Sequence, residues 1–467
     1  MERSKFGEIV TPEKNYYGIS SRLDRLPRNG NWCNSLAVIL GLIVFCDCYI
    51  QYVGGSMLSS MLATNWSTVD LNALCISLTM TGYAIGSVLS GVISDKYGRR
   101  LSILVCIGIF IPGCLCSAFV PNIEVLIICR FMLGIGLGGG LVACYGCLCE
   151  YSPPKYRGQY SGIVGLIGNF SPPLGAFSVI LLLPAVGWRF FYLGLTILGL
   201  LIFCLALKKI PESPRWLASK GDFEKADLIL QNEERKVLNL GIDLENIDLD
   251  YIEKKSSYHL SHARLIDLFR DKSMLKRLFV ITFALFTMNV MVYTITNWTS
   301  ALFVLKGFDE SLALSVVAIF LLGGPFGLLM LVIFADKHGR KEGLLVSLVL
   351  LAFVSVLWGS IPFENAIALL FVGFFLCAIL YYYALLTCSV YIGELFPTEI
   401  RMRSVGFANA LGRIGSIISP FLVTNLLEQG DIGVIFIGGG LLCILTAIII
   451  SVFAIETRYR TLEDING

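Results

Sequence analysis

The sequence predicts an all-α membrane protein with twelve transmembrane helices in two six-helix bundles. Three observations carry that prediction. Apolar runs of about 20 residues recur twelve times, basic residues fall on alternate connections between them, and the charged landmarks of the first half return in the second. Composition sets the outer bound: at 56% hydrophobic and 15% charged over 467 residues, the chain has more apolar surface than one water-soluble core can bury.

The predicted spans are 35–55, 71–92, 101–120, 125–149, 159–184, 188–207, 277–300, 311–334, 343–361, 366–392, 404–426 and 431–455. A cytoplasmic segment, 1–34, precedes them and shows no removable signal peptide. The six spans of 35–207 are separated from those of 277–455 by a charged linker, 208–276, whose apolar residues recur at helical spacing; a short tail, 456–467, follows. Arg22, Arg25 and Arg28 precede the first span, Lys96, Arg99 and Arg100 follow the second, and Lys155 and Arg157 follow the fourth. Lys337, Arg340 and Lys341, then Arg401 and Arg403, then Arg458 and Arg460 continue the series, while the opposite connections carry little beyond Lys306. By the positive-inside rule both termini are cytoplasmic, and the expected location is a bacterial inner membrane.

Asp95 in SDKYGRR and Asp336 in ADKHGRK stand 241 residues apart; Glu150 and Glu394, then Glu212 and Glu456, each stand 244 apart. Each landmark follows the second, fourth or sixth span of its half. Six spans is an even number, so both halves enter the bilayer with one polarity and enclose a cavity near its midplane. Asp95 with Arg99, and Asp336 with Arg340, can bond across to Glu150 and Arg157, and to Glu394 and Arg401, when the cytoplasmic side is closed. They form a latch remade as the bundles rock. Topology alone explains the basic residues, but not the paired acids or Gly91, Gly98 and Gly339.

With these residues, GVISDKYGRR is similar to the loop signature of the major facilitator superfamily, and the resemblance covers nearly the whole chain. RFMLGIGLGGG, EYSPPKYRG, PESPRWL, ELFPTEIR and ETRYRTLEDI resemble marks shared by sugar porters and organic-ion transporters. The paired glutamine of sugar porters is missing from the seventh span, which reads FTMNVMVYTITNW. Tyr293 and Trp298 followed by LKGF, and GRIGSIISP at 412–420, look closer to the niacin, aromatic-acid and organic-ion branch. That branch often carries DGxD in its first helix, where this chain keeps Asp47 but has Ile50 at the second acid. The resemblance implies alternating access, and a carboxylate paired with an arginine for proton coupling.

A charge inside the bilayer asks for a reason. Asp47 and Arg130 are placed at similar depth by their distance from the span ends, so pairing would neutralise both. Asp47 then either carries the coupled proton or makes a permanent bridge that fixes helix packing. Arg413, near the middle of the eleventh span, either attracts a substrate carboxylate or donates to backbone carbonyls and Asn409; unpaired, it favours anionic substrates, and matched by an acid, neutral ones. Asn169, Asn289, Tyr293, Trp298 and Tyr382, with Tyr381 and Tyr383 beside it, are further candidates, each either a substrate contact or a packing or interface-belt residue. Asn289 and Tyr293 rank first because four-residue spacing sets them on one helix face.

The glycines of GIGLGGG allow close helix contact and make no phosphate loop. SPPLGA at 171–176 reads as a bend. All cysteines but Cys33 lie in or beside apolar spans and read as small apolar side chains. No metal site is expected from His259, His262 and His338, no cofactor is expected, and no catalytic motif marks an enzyme. The expected partners are a small-molecule substrate, protons and the lipid bilayer, without nucleic acid, for a monomer. The leading expectation is proton-coupled symport of an aromatic or carboxylate metabolite; sugar or polyol symport, and a nutrient sensor of the same fold, are the alternatives.

Overall fold

Eleven helices of the computed structural model are long and apolar enough to cross a membrane: Cys33–Leu62, Asp70–Tyr97, Arg99–Phe119, Ile123–Tyr151, Arg157–Val186, Trp188–Lys209, Lys272–Thr296, Val316–Phe334, Arg340–Ser360, Ile367–Glu394 and Gly433–Phe453. The eleventh sequence span supplies the remaining one, a helix over Arg401–Gly412 that breaks at Arg413 and is helical again over 414–419. Residues 12–27, 33–244, 267–299, 310–335, 337, 339–362, 365–419 and 432–458 are described. Asp336, Lys306, the three histidines and the Trp298 side chain lie outside them.

Several helices outrun their apolar sequences, because hydrophobicity marks the membrane slab whereas capping marks the helix. The first span, predicted at 35–55, is helical over Cys33–Ala63. The second starts where the Thr68 side chain accepts from the Leu71 N–H at 3.3 Å and runs on to Tyr97. Asp47 therefore stands near the middle of its helix.

Interruptions sit at the centre of other spans. The fifth breaks at Phe170 ahead of Pro172 and Pro173, the eighth at Leu322 ahead of Pro325, and the eleventh at Arg413. A proline withholds a backbone donor and loosens the turn before it. The seventh and tenth spans widen into π-helical turns, Thr294–Trp298 and Leu386–Tyr391.

Packing repeats from half to half. The first span lies on the fifth and sixth, the second on the fourth, and the third on the fourth and sixth; the seventh to twelfth spans reproduce each of these pairings. Between the halves the second span meets the eleventh and the fifth meets the eighth. The first contact is made backbone to backbone. A Cβ added to Gly91 would fall 2.4 Å from the Met402 carbonyl oxygen, and one on Gly406 would fall 2.3 Å from that of Ser87. Small residues are what let these helices touch.

The N-terminal segment, polar on average, forms a helix over Pro12–Asp24 whose Tyr16, Tyr17, Ile19 and Leu23 are buried. It packs on two linker helices, Pro214–Ser219 and Phe223–Asn239. Arg22 pairs with Asp227 and, at 2.7 Å, with Glu234; Arg25 reaches Glu234 at 2.6 Å and Arg215 holds Asp24 at 2.5 Å. The Tyr16 hydroxyl donates to Thr398 Oγ1 of the second half at 3.4 Å.

Candidate functional site

At the charged end, where the described chain begins and finishes, acids and arginines of the two halves interlock. Glu150 Oε1 accepts from Arg99 Nη2 at 2.6 Å within its own half and pairs with Arg401 of the other at 3.1 Å. Glu394 pairs with Arg157 of the first half at 2.9 Å and stands 3.7 Å from Arg340. All these side chains are buried. Ser213 Oγ donates to Glu150 at 2.8 Å, and Thr457 Oγ1 to Glu394 at 2.5 Å.

Asp95 lies 3.4 Å from Arg99. It also accepts from the backbone N–H groups of Met402 and Arg403, at 3.4 and 3.0 Å. A carboxylate of one half thus caps the helix N-terminus of the other, where backbone donors are otherwise unpaired and the helix dipole favours negative charge. Charge counting had pointed to side-chain partners and overlooked this backbone one.

A second polar cluster lies at the midplane and joins the first and second spans to the seventh and eleventh. Asp47 and Gln51 share a helix face, four residues apart. Gln51 Nε2 donates to Asp47 Oδ1 at 2.7 Å, and the Tyr83 hydroxyl donates to Asp47 Oδ2 at 2.6 Å. From the second half, the Tyr293 hydroxyl donates to Gln51 Oε1 at 2.7 Å and accepts from Arg413 Nη1 at 2.9 Å. The Arg413 guanidinium lies over the Tyr83 ring, 4.0 Å from its centroid. Helix irregularity places both second-half members: Tyr293 is the last residue before the π turn, and Arg413 sits at the break of its helix. An apolar cavity inside the first half, walled by Ile43, Cys106, Ile107, Phe110 and Ile202, reaches the other side of Asp47.

The expected pairing of Asp47 with Arg130 is corrected. Arg130 Nε donates to the Tyr192 hydroxyl at 2.6 Å, and a Cβ on Gly54 would meet Arg130 Nη1 at 2.8 Å. Gly54 lies seven residues beyond Asp47, about 10 Å along the helix axis. The estimate of equal depth failed because the first helix continues past its apolar run. Among the described residues the arginine joined to Asp47 is Arg413, through Gln51 and Tyr293.

Other expected contacts separate. Asn289 Nδ2 donates to the Leu285 carbonyl at 2.7 Å and Asn169 Nδ2 to that of Gly165 at 2.9 Å, each within its own helix. Asn169 Oδ1 also accepts from Cys48 Sγ at 3.7 Å, one residue from Asp47. Tyr382 turns toward the ninth span, its hydroxyl 3.5 Å from where a Gly343 Cβ would sit, while Tyr381 lies over Gly324 and within electrostatic reach of Tyr52 and Tyr293. Adjacent residues on a helix point about 100° apart, so only one of the three tyrosines can face the centre. Gln51 and Tyr83 were missed; the signal for Gln51 was a lone amide one turn from the only acid of an apolar span.

Two bundles of repeated packing, closed on each other at one end and joined by polar side chains at their middle, are the fold of a major facilitator transporter. The chain belongs to the sugar (and other) transporter family, whose model matches residues 41–467. It is 32% identical over 454 residues to the inner membrane metabolite transport protein YdjE of Escherichia coli, covering 97% of this chain and 99% of that one. It is 24% identical to the niacin transporter NiaP of Acinetobacter baylyi, over 95% and 99% of the two chains. Its fold is similar to that of the proton:xylose symporter XylE bound to 6-bromo-6-deoxy-D-glucose, with a TM-score of 0.79 at 20% identity over 93% of this chain and 98% of that one. To XylE from E. coli in a partially occluded inward-open conformation the TM-score is 0.69.

Proposed function

We propose that this protein is a proton-coupled symporter of a small organic solute, an aromatic or carboxylate metabolite, working by alternating access with Asp47 as the proton-carrying group. The observation that carries this reading is the position of Asp47. It is a buried carboxylate at the meeting point of both halves, bonded to Gln51 and Tyr83 and linked through Tyr293 to Arg413. A carboxylate so placed changes its surroundings whenever the halves move, and with them its affinity for a proton.

Solute enters by displacing the Gln51 to Tyr293 bond. The charged end, cytoplasmic by its excess of arginine and lysine, opens when Arg157 and Arg401 leave Glu394 and Glu150. Arg130, held against Tyr192, supports helix packing in this scheme. A sugar or polyol is the second reading, favoured by the neutral hydrogen-bonding groups of Gln51, Tyr83 and Tyr293.

The test is uptake into proteoliposomes by wild type and Asp47→Asn, with and without an inward proton gradient. Asp47→Asn should lose gradient-driven accumulation while still exchanging solute across the membrane. Unchanged accumulation by the variant removes Asp47 from the role.

A further inference from the structure

We infer that Asp47 and Arg413 form a separated charge pair in which protonating the acid frees the cation for substrate, so that the site takes one monocarboxylate together with one proton. This rests on the reading of Asp47 as the proton-carrying group and adds the class of substrate and the stoichiometry.

The two charges do not touch. Gln51, Tyr83 and Tyr293 stand between them, each bonded to one or both ends, and Arg413 makes no direct ion pair among the described residues. The described titratable groups within electrostatic reach of Asp47 are Tyr83 of the second span, Cys144 and Tyr145 of the fourth, Tyr293 of the seventh, Cys388 of the tenth and Arg413 of the eleventh, besides Cys46 and Cys48 on its own helix. Arg413 is the cation among them, and it is buried.

Charge balance then selects the cargo. With Asp47 ionised the site is neutral, and an entering carboxylate meets an acid already there. Protonating Asp47 leaves a buried guanidinium without its counter-charge, a state that is costly until another anion arrives. A substrate carboxylate satisfies it, because the guanidinium fork offers paired donors and the substrate can take the place of the Tyr293 hydroxyl. The site is again neutral. A sugar or an organic amide gives no such compensation, and an organic cation worsens the imbalance. The Tyr83 ring under the guanidinium and the Tyr293 ring beside it offer faces to a planar substrate body. Loaded and empty sites carry equal charge, so the exchange is electroneutral at this centre.

Binding of benzoate and of its neutral analogue benzamide to the purified full-length protein tests this, read as thermal stabilisation between pH 5.5 and 8. For the wild type, benzoate affinity should fall as pH rises, approaching about tenfold per pH unit above the Asp47 titration, while benzamide stays weak and flat. Asp47→Asn should bind benzoate at the low-pH affinity at every pH. Arg413→Gln should lose benzoate binding, and Arg413→Lys should restore part of it, which separates a lost charge from a lost fold. In proteoliposomes a membrane potential alone should drive no benzoate accumulation.

Benzamide binding with the same pH slope, weaker benzoate binding by Asp47→Asn, or no binding of benzoate, nicotinate or gluconate at pH 5.5 would each overturn the inference. The two failures are distinguishable. Proton-driven accumulation that survives in Asp47→Asn removes the proton-carrying role itself, whereas its loss beside charge-blind binding removes only the inference drawn here.

Discussion

The charged end and the midplane were built from the same repeat, and only one of them remains symmetric. At the charged end the correspondence reaches single bonds. Arg99 Nη1 donates to the Ser94 carbonyl as Arg340 Nη1 does to that of Ala335, Ser213 serves Glu150 as Thr457 serves Glu394, and the backbone N–H groups of Arg99 and Arg340 donate to Glu212 and Glu456, each at 2.8 Å. At the midplane, Asn169 and Arg413 are 244 residues apart, the same interval as the gate glutamates, and each stands at a break in its helix. One offers an amide and the other a guanidinium. The acid stands in the first half and the cation in the second. A symmetric gate suits a motion that the two halves share, and an asymmetric centre suits a cargo with two unlike ends.

The sharpest way to break this comparison is at the gate. Glu150→Gln strips two buried arginines of a close partner and should cost about 3–5 kcal/mol of stability. Glu394→Gln should cost less, because Arg340 stands 3.7 Å away rather than 2.6 Å. Thermal unfolding in detergent measures both. Alkylation of Cys149, buried where a Gly393 Cβ would come within 2.8 Å of its sulfur, reports the accompanying opening. Equal losses would make the two gate acids interchangeable in energy as well as in geometry.

A smaller effect is expected at the centre. Tyr293→Phe removes the hydroxyl shared by Gln51 and Arg413, worth about 1–3 kcal/mol when its partners stay buried. It should lower kcat/KM for proton-driven uptake about tenfold, leaving Cys149 labelling of the empty protein unchanged. Increased labelling would mean that the central bonds also hold the gate.

The smallest effect is expected outside the membrane, at the N-terminal helix. Burial alone would raise the Glu234 carboxyl, but hydrogen bonds and charge from Arg22 and Arg25 outweigh it and hold Glu234 below its ordinary value of 4.5. A carboxylate lowered by folding stabilises the fold fully above that ordinary value, and its contribution is lost as pH falls through the lowered one. The helix should therefore stay docked at neutral pH and loosen only in acid well below 4.5, by about 1 kcal/mol for pairs so near the surface. Pepsin cleavage within Pro12–Asp24 at graded acid pH measures this; release near neutrality would contradict it.

The span count, the repeat and the described acids and arginines that interlock at the charged end were legible because each is written locally, in runs of apolar residues or in motifs with fixed internal spacing. What joins which was not. The Asp47 and Arg130 pairing was inferred from depth, which apolar run length records poorly when a helix continues to Ala63. Tyr382 was preferred over Tyr381, although one residue turns a side chain to a different neighbour. The Asp95 contact with the Met402 and Arg403 amides has no residue-type signature, since every residue but proline carries that donor.

The N-terminal helix turns the opening of the charged end into a choice of travelling companion. Its ion pairs bind it to the linker, and the linker is fastened to the first half, where Arg215 donates to the Glu150 carbonyl and Trp216 to that of Asp95. It also touches the second half, through the longer bond from Tyr16 to Thr398. On the proposed opening of this end, the helix rides as a passenger on the first half, so a bulky fusion joined to it travels with that half.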